Sequence, residues 1–226
     1  MQTKKVLGLI VARGGSKTLP RKNLLFAGGK PLIAWTILAA LESKIFDEVI
    51  VSSDDDEIME TAKEWGCTVP FRRPDELASD TASSIDVVFH AIDNLPEFEH
   101  VALLQPTSPL RSASDIKSSF LLLKSTGAPS CVSVCEVDQT PYWMFQIDKR
   151  KRLRSLYKKF PTATCRQNLP PSYFLNGAIY IAKVDWLKQT KTFLTPETVA
   201  FIMEKKHSID IDTREDFELF RSYVEN

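Results

Sequence analysis

The chain has 226 residues, 43% of them hydrophobic, and its 29 basic side chains balance its 29 acidic ones. This length and composition predict one globular domain over residues 1–226. A net charge near zero argues against non-specific binding to nucleic acid or to a membrane surface. The first apolar run is too short for a membrane span and has no small-residue cleavage site after it, so we expect a cytoplasmic protein.

Strand-like and helical patterns alternate along the chain, which predicts βαβ units and a mainly parallel sheet. The expected strands cover residues 6–12, 49–52, 68–71, 101–104, 131–134, 178–182 and 199–203. The expected helices cover about 32–41, 58–65, 85–94, 116–123 and 214–223, with Ser112 or Ser114 as a cap for the fourth. The alternation breaks over about 138–173, which we interpret as an inserted segment.

A glycine-bearing, cation-rich loop, RGGSKTLPRKN over residues 13–23, follows the first strand. Glycines let backbone N–H groups approach an anion, while arginine and lysine supply charge. The loop is not a P-loop, because Ser16 precedes Lys17 and Pro20 interrupts a helix. It also lacks the G-x-G-x-x-G pattern of dinucleotide sites. We therefore expect a site for a small polyphosphate, and the alternative is a solvated basic turn.

Polar segments also follow the next three expected strands, at residues 52–56, 72–73 and 105–109. In an open α/β sheet, ligands bind beyond the carboxyl ends of the strands. These segments and the basic loop are therefore predicted to meet at one site.

Asp210 and Asp212 alternate with two isoleucines near the end of the chain. In an extended segment both carboxylates share one face, where they repel each other unless a cation lies between them. Mg²⁺ prefers oxygen ligands and often shares them with substrate phosphates. Alternatively, Asp212 caps the last helix and Asp210 is solvated. The run Asp54–Asp56 is a competing metal candidate, although it better fits the start of a helix.

Six motifs together resemble the acylneuraminate cytidylyltransferases, the CMP-sialic acid synthetases, over nearly the whole chain. They are ARGGSK (12–17), PRKN (20–23), SDTASS (79–84), LQPTSPLR (104–111), NGAIY (176–180) and IDIDT (209–213). The resemblance implies an α/β fold, a Rossmann-like nucleotidyltransferase sandwich with a mainly parallel, mixed central sheet and a small inserted dimerisation subdomain. It also implies CTP as co-substrate, Mg²⁺ as cofactor, and a homodimer in which the inserted segment reaches the partner.

The resemblance also implies roles for individual residues. Lys22 would lie near the phosphates, Gln105 near the sugar, and Arg166 would be presented to the site by the inserted segment. Asp210 and Asp212 match the family's metal-binding acids, and the catalytic group would comprise Arg13, Lys22, Arg166 and Asp212. The CTP contacts would be Arg13, Ser16, Lys17, Asn23, Arg73 and Ser84.

The implied reaction is attack of a sugar's anomeric hydroxyl on the α-phosphate of CTP, which gives a CMP-sugar and pyrophosphate. The sequence departs from the family pattern at Trp143 and Phe174, where some bacterial sialic acid enzymes have a lysine and an arginine. The acceptor is therefore expected to be a sialic acid or a related nonulosonate such as legionaminic or pseudaminic acid. Two competing hypotheses are an enzyme for an eight-carbon keto sugar and a non-catalytic nucleotide-binding module.

A third departure is Thr18, at a position where the family often has glycine. A β-branched residue disfavours a positive φ. We therefore expect either strain at Thr18 or a turn of different construction.

Overall fold

A six-stranded sheet forms the centre of the computed structural model, which describes residues 5–156 and 166–225, without the side chain of Arg166. The strands are β1 (Val6–Val11), β2 (Phe26–Ala27), β3 (Lys30–Pro31), β4 (Glu48–Ser52), β5 (His100–Leu104), β6 (Ser130–Glu136), β7 (Phe145–Ile147), β8 (Leu153–Ser155), β9 (Tyr173–Lys183) and β10 (Val199–Ile202). The helices are α1 (Leu32–Ser43), α2 (Asp56–Glu64), α3 (Ser84–Asn94), α4 (Ala113–Thr126), α5 (Val184–Thr190) and α6 (Arg214–Val224).

The order of strands in the central sheet is β10-β6-β9-β5-β1-β4. Strand β9 is antiparallel to its neighbours, β5 and β6, whereas the other strands of this sheet are parallel to one another. The sheet is therefore mixed and mainly parallel, as predicted. The carboxyl ends of β1, β4 and β5 therefore lie at one edge, where a ligand site is expected.

Helices pack on both faces of the sheet, and successive side chains of β1 point alternately to one face and to the other. Leu7 and Leu9 pack in a core with Val88 of α3. Ile10 packs on the other face, in a core with Ile33 of α1. The result is an α/β/α sandwich with two buried apolar layers.

The expected strand over 68–71 is wrong. Thr68 forms a single bridge with Ile50 of β4, and the residues after it leave the sheet. Pro70 lacks an N–H, so it cannot extend the ladder. Ser112 caps α4 as predicted, whereas Ser114 lies inside that helix.

The described part of the region 138–173 contains two 3₁₀ turns, Pro141–Trp143 and Arg166–Asn168, and a two-stranded hairpin of β7 and β8. Residues 157–165 lie outside the described ranges. Large apolar side chains on this region and on the start of β9 are exposed to solvent. They include Trp143, Met144, Phe145, Ile147, Leu153, Leu156, Tyr173, Phe174 and Leu175. In the described parts of the chain, no helix is both long enough and apolar enough to cross a membrane.

Candidate active site

A cleft of about 560 Å³ opens beyond the carboxyl ends of β1 and β5. All the predicted site residues except Arg166 line it. They are Arg13, Ser16, Lys17, Lys22, Asn23, Arg73, Ser84, Gln105, Asp210 and Asp212. The side chain of Arg166 lies outside the part of the chain that the structure describes.

The basic loop is anchored to the rest of the protein. Leu19 is buried and packs in a small core with Leu32 of α1 and Phe217 of α6. The buried Asn23 donates a hydrogen bond from Nδ2 to the carbonyl oxygen of Arg13, at 3.1 Å. These contacts fix both ends of the loop around the cleft.

Of the two alternatives expected at Thr18, the structure shows the turn of different construction and not the strained residue. The residue in the left-handed region is Arg21, with φ of 56°, and Thr18 does not have a positive φ. Gly14 also lacks a positive φ; its role is close approach, because a Cβ there would lie 2.5 Å from Oδ2 of Asp55. Its N–H donates to Oδ1 of Asp54 at 3.1 Å.

The acidic run after β4 supports the loop and the start of α2. Asp55 caps α2 by accepting from the N–H of Ile58 at 3.1 Å, and it also pairs with Arg21. Partial burial raises the pKa of Asp55, but the hydrogen bonds from Arg21 and Ile58 outweigh this effect and the net pKa is lowered. Asp56 pairs with Arg72. The interpretation of this run as a helix start therefore fits better than the metal candidate.

Asp80 belongs to the SDTASS motif, but sequence reasoning gave it no role. Its Oδ1 lies 2.9 Å from Nη1 of Arg13, and its Oδ2 lies 2.5 Å from Nζ of Lys17. Hydrogen bonds from Lys17 and Arg13 lower the pKa of Asp80. The carboxylate therefore faces the same two cations that were predicted to hold phosphate.

Arg73 places a buried cation at the base of the cleft. Its Nε donates to Oγ of Ser52 at 3.1 Å, and its backbone N–H donates to the carbonyl oxygen of Ser53 at 2.8 Å. Burial lowers the pKa of Arg73 to about 10, so the guanidinium stays charged near neutral pH.

The segment with Asp210 and Asp212 alternates as predicted, although it forms no regular strand. Ile211 is buried, and its N–H donates to the carbonyl oxygen of Thr107 at 2.8 Å. The cap of α6 is Thr213, so the alternative role for Asp212 as that cap is wrong. Oδ1 of Asp212 instead lies 3.0 Å from Nζ of Lys22.

Asp210 has a perturbed pKa. Burial by the surrounding protein raises it, a hydrogen bond from Thr107 lowers it in part, and the charge of Asp212 raises it further. A nearby cation would relieve both unfavourable effects. Two carboxylates and a neighbouring hydroxyl are hard oxygen donors of the type that Mg²⁺ binds.

Gln105 is positioned by a glycine on the neighbouring strand β9. Gly177 has φ of 75°, and a Cβ there would lie 2.7 Å from Oε1 of Gln105. Next to it, the buried Asn176 accepts from Oγ of Ser133 at 2.6 Å and donates to Oγ of Ser208 at 2.9 Å. This network holds the wall of the cleft where the sugar is expected.

Comparison with known proteins gives consistent matches. The model of a family described as "Cytidylyltransferase" matches residues 7–206. A CMP-N,N'-diacetyllegionaminic acid synthase of Legionella pneumophila is 38% identical, over 98% of this chain and 97% of that protein. An N-acylneuraminate cytidylyltransferase of Escherichia coli is also 38% identical, over 95% of this chain and 51% of that protein. A pseudaminic acid cytidylyltransferase of Campylobacter jejuni is 34% identical, over 95% of this chain and 94% of that protein.

The chain therefore spans nearly all of the Legionella and Campylobacter relatives but about half of the E. coli protein. Among solved structures, a CMP:2-keto-3-deoxy-manno-octonic acid synthetase complexed with CTP superposes with a TM-score of 0.76 at 18% identity, covering 98% of this chain and 99% of that one. A 4-diphosphocytidyl-2C-methyl-D-erythritol synthase from Anaerococcus prevotii superposes with a TM-score of 0.71 at 15% identity, covering 99% of this chain and 97% of that one. At these identities the superpositions establish the fold.

Proposed function

The chain belongs to the cytidylyltransferase family, and we propose that it transfers CMP from CTP to the anomeric hydroxyl of a sialic acid or related nonulosonate, releasing pyrophosphate. The observation that carries this proposal is the convergence of the basic loop and the acid pair in one cleft. Lys22 and Asp212 are 190 residues apart in sequence, yet their side chains are in contact. Cations for a triphosphate and carboxylates for a metal therefore share one site.

The reaction forms a bond from the anomeric oxygen to the α-phosphorus and breaks the bond from that phosphorus to the oxygen that bridges the α- and β-phosphates. That oxygen leaves as a terminal oxygen of pyrophosphate, and the proton of the anomeric hydroxyl is released. Catalysis of such transfers depends on positioning and on stabilising charge. We assign Arg13, Lys17 and Lys22 to the phosphates, where they stabilise the negative charge that develops on the leaving group. Ser16, Asn23, Arg73 and Ser84 are assigned to the nucleotide, and Gln105 to the sugar.

Asp210 and Asp212 are the residues that would hold Mg²⁺, because their oxygens are suited to a hard cation and lie beside the phosphate-binding loop. When bound, the ion would polarise the α-phosphate and lower the pKa of the attacking hydroxyl. The chain contributes the ionised carboxylates and, through Thr107, a hydrogen bond that favours the ionised form of Asp210.

We further propose a cytoplasmic homodimer in which residues 138–173 contact the partner and Arg166 enters the partner's cleft. The exposed apolar side chains of the β7–β8 hairpin and of the start of β9 support an interface there. The test is subunit complementation. Mixing inactive Arg166→Ala with inactive Asp212→Asn should restore part of the activity, because a mixed dimer contains one intact site. No recovery in mixed dimers that are verified to form would refute the shared site.

A legionaminic acid is a second candidate acceptor. The Legionella relative supports it by matching nearly the full length of both chains. Trp143 and Phe174 support it as well, because uncharged side chains stand where some sialic acid enzymes have cations.

The experiment that tests the function is pyrophosphate release from each of the four NTPs with a panel of nine-carbon and eight-carbon keto sugar acids. We expect release with CTP and a nine-carbon acid only, and the preferred acid identifies the acceptor. A preference for the eight-carbon acid would favour the alternative keto sugar. If no pyrophosphate is released from CTP with any of the acids, the hypothesis of an enzyme is refuted and the hypothesis of a nucleotide-binding module is left.

A further inference from the structure

Asp80 lies across the cleft from the basic loop, in the short segment that joins a 3₁₀ turn, Asp75–Ala78, to α3. Its two carboxylate oxygens are divided between Arg13 and Lys17, at 2.9 and 2.5 Å. The carboxylate thus makes the type of charge-assisted contact that a phosphate would make with the same two side chains.

These pairs are accessible to an incoming anion. The exposed fractions of the side chains are 38% for Arg13, 82% for Lys17 and 46% for Asp80. Ion pairs that are exposed to this extent are weak and are readily exchanged for other partners. A polyphosphate can therefore reach both cations without unfolding any element.

The segment that carries Asp80 has few other contacts with the loop. Its hydrogen bonds are mostly local. Oγ of Ser79 donates to the carbonyl oxygen of Glu76, and the N–H of Ala82 donates to the carbonyl oxygen of Ser79. One longer contact, at 3.5 Å, joins Nη1 of Arg13 to the carbonyl oxygen of Ala78. Asp80 is therefore the main side-chain link between the two walls at this point of the cleft.

Asp80 also differs from the other acids that contact the loop. Asp54 accepts from the N–H of Gly14, Asp55 caps α2, Glu57 lies in the first turn of α2, and Asp212 is a proposed metal ligand. In the described structure, the side-chain contacts of Asp80 that involve ionic groups are those with Arg13 and Lys17. A carboxylate in that position carries the same sign of charge as the proposed substrate and repels it.

Resting on the proposed function, we propose that Asp80 is an internal competitor of the triphosphate. Its carboxylate neutralises Arg13 and Lys17 in the empty cleft, releases them when CTP binds, and pairs with them again as pyrophosphate leaves. The competition weakens binding of CTP and pyrophosphate alike, and it speeds release of the product. The opposite role, in which Asp80 orients the two cations for phosphate, predicts a change of opposite sign when its charge is removed.

The test is the dissociation constant of pyrophosphate, measured by calorimetry on the full chain without sugar. Asp80→Asn keeps the size of the side chain and removes its charge. We expect it to bind pyrophosphate about tenfold more tightly than wild type, because two competing ion pairs are removed. The matched control is Asp93→Asn, which removes a similar exposed ion pair, with Lys188 at 2.7 Å, away from the cleft. It should leave the constant unchanged.

A double variant identifies the cause of the gain. In Lys17→Met the gain from Asp80→Asn should shrink, because one of the two cations for which Asp80 competes is gone. Binding by Asp80→Asn that equals or is weaker than that of wild type, in a protein that turns over CTP, would overturn the role of Asp80 and leave the proposed function standing. A wild type that releases no pyrophosphate with any sugar would overturn both.

Discussion

Nζ of Lys22 lies 3.0 Å from Oδ1 of Asp212 and 2.7 Å from the carbonyl oxygen of Ile211. The first contact joins the basic loop after β1 to the segment before α6. The lysine side chain is largely buried, whereas the carboxylate of Asp212 is exposed to the cleft. The basic loop and the proposed metal ligands are therefore held together by this lysine.

Lys22→Met should lower kcat/KM for CTP by about a hundredfold, because one cation that stabilises the leaving pyrophosphate is lost. Steady-state pyrophosphate release measures the change. The control is Lys188→Met, which removes an exposed ion pair outside the cleft and should have no effect. Activity of Lys22→Met within about twofold of wild type would contradict the role of this lysine.

Gly177→Ala should raise the KM for the sugar, because the new Cβ would lie 2.7 Å from Oε1 of Gln105 and displace it. The matched control is Gly127→Ala. Gly127 also has a positive φ, of 69°, but no atom lies within 4 Å of a Cβ there. Both variants should lose about 1 kcal/mol of stability from backbone strain. Equal sugar KM values in the two variants would argue against the placement of Gln105.

Gly14→Ala should raise the KM for CTP by about tenfold, since a Cβ would meet Oδ2 of Asp55 at 2.5 Å and shift the loop. Gly15→Ala is the control on the adjacent residue, because a Cβ at Gly15 has no atom within 4 Å. Neither glycine has a positive φ, so strain does not separate the pair. The loop geometry would be refuted by a larger effect at Gly15 than at Gly14.

Thr107→Val should move the acid limb of the kcat/KM profile to higher pH. Burial raises the pKa of Asp210, the hydroxyl of Thr107 lowers it in part, and the charge of Asp212 raises it. The ionised carboxylate is the active form, so activity is present above this pKa and is lost as the pH falls through it. Without the hydroxyl the pKa rises further, and the loss begins at higher pH. Thr107→Ser keeps the hydroxyl and should retain the wild-type profile; identical profiles for all three proteins would contradict the assignment.

Sequence patterns predicted most of the fold and the cluster of site residues. The reason is physical: polar segments that follow parallel strands meet at one edge of the sheet, so Arg13 and Gln105 converge even without knowledge of the contacts. The expected strand over 68–71 failed because Pro70 ends the pairing after one bridge.

Partnerships across long sequence separations could not be predicted. Nothing local in the sequence indicates that Asp80 pairs with Arg13, which is 67 residues away. The sequence left open whether Thr18 is strained or the turn is built differently. The second alternative is correct, because the left-handed residue is Arg21, whose side chain contacts Asp55 and Glu57. Asp212 was considered as the cap of α6, but the hydroxyl of the next residue, Thr213, is the group that reaches the N–H of Asp216.

The most direct test of the central claim compares wild type with Asp212→Asn in the conversion of CTP and a nine-carbon keto sugar acid to CMP-sugar, across a titration of Mg²⁺. The cap of α6 comes from Thr213 and Asp216, and the side chain of Asp212 is exposed, so the variant should remain folded. We predict Mg²⁺-dependent turnover by wild type and a loss of at least about a hundredfold in the variant. Turnover by Asp212→Asn at the wild-type rate, with the same dependence on Mg²⁺, would contradict the account.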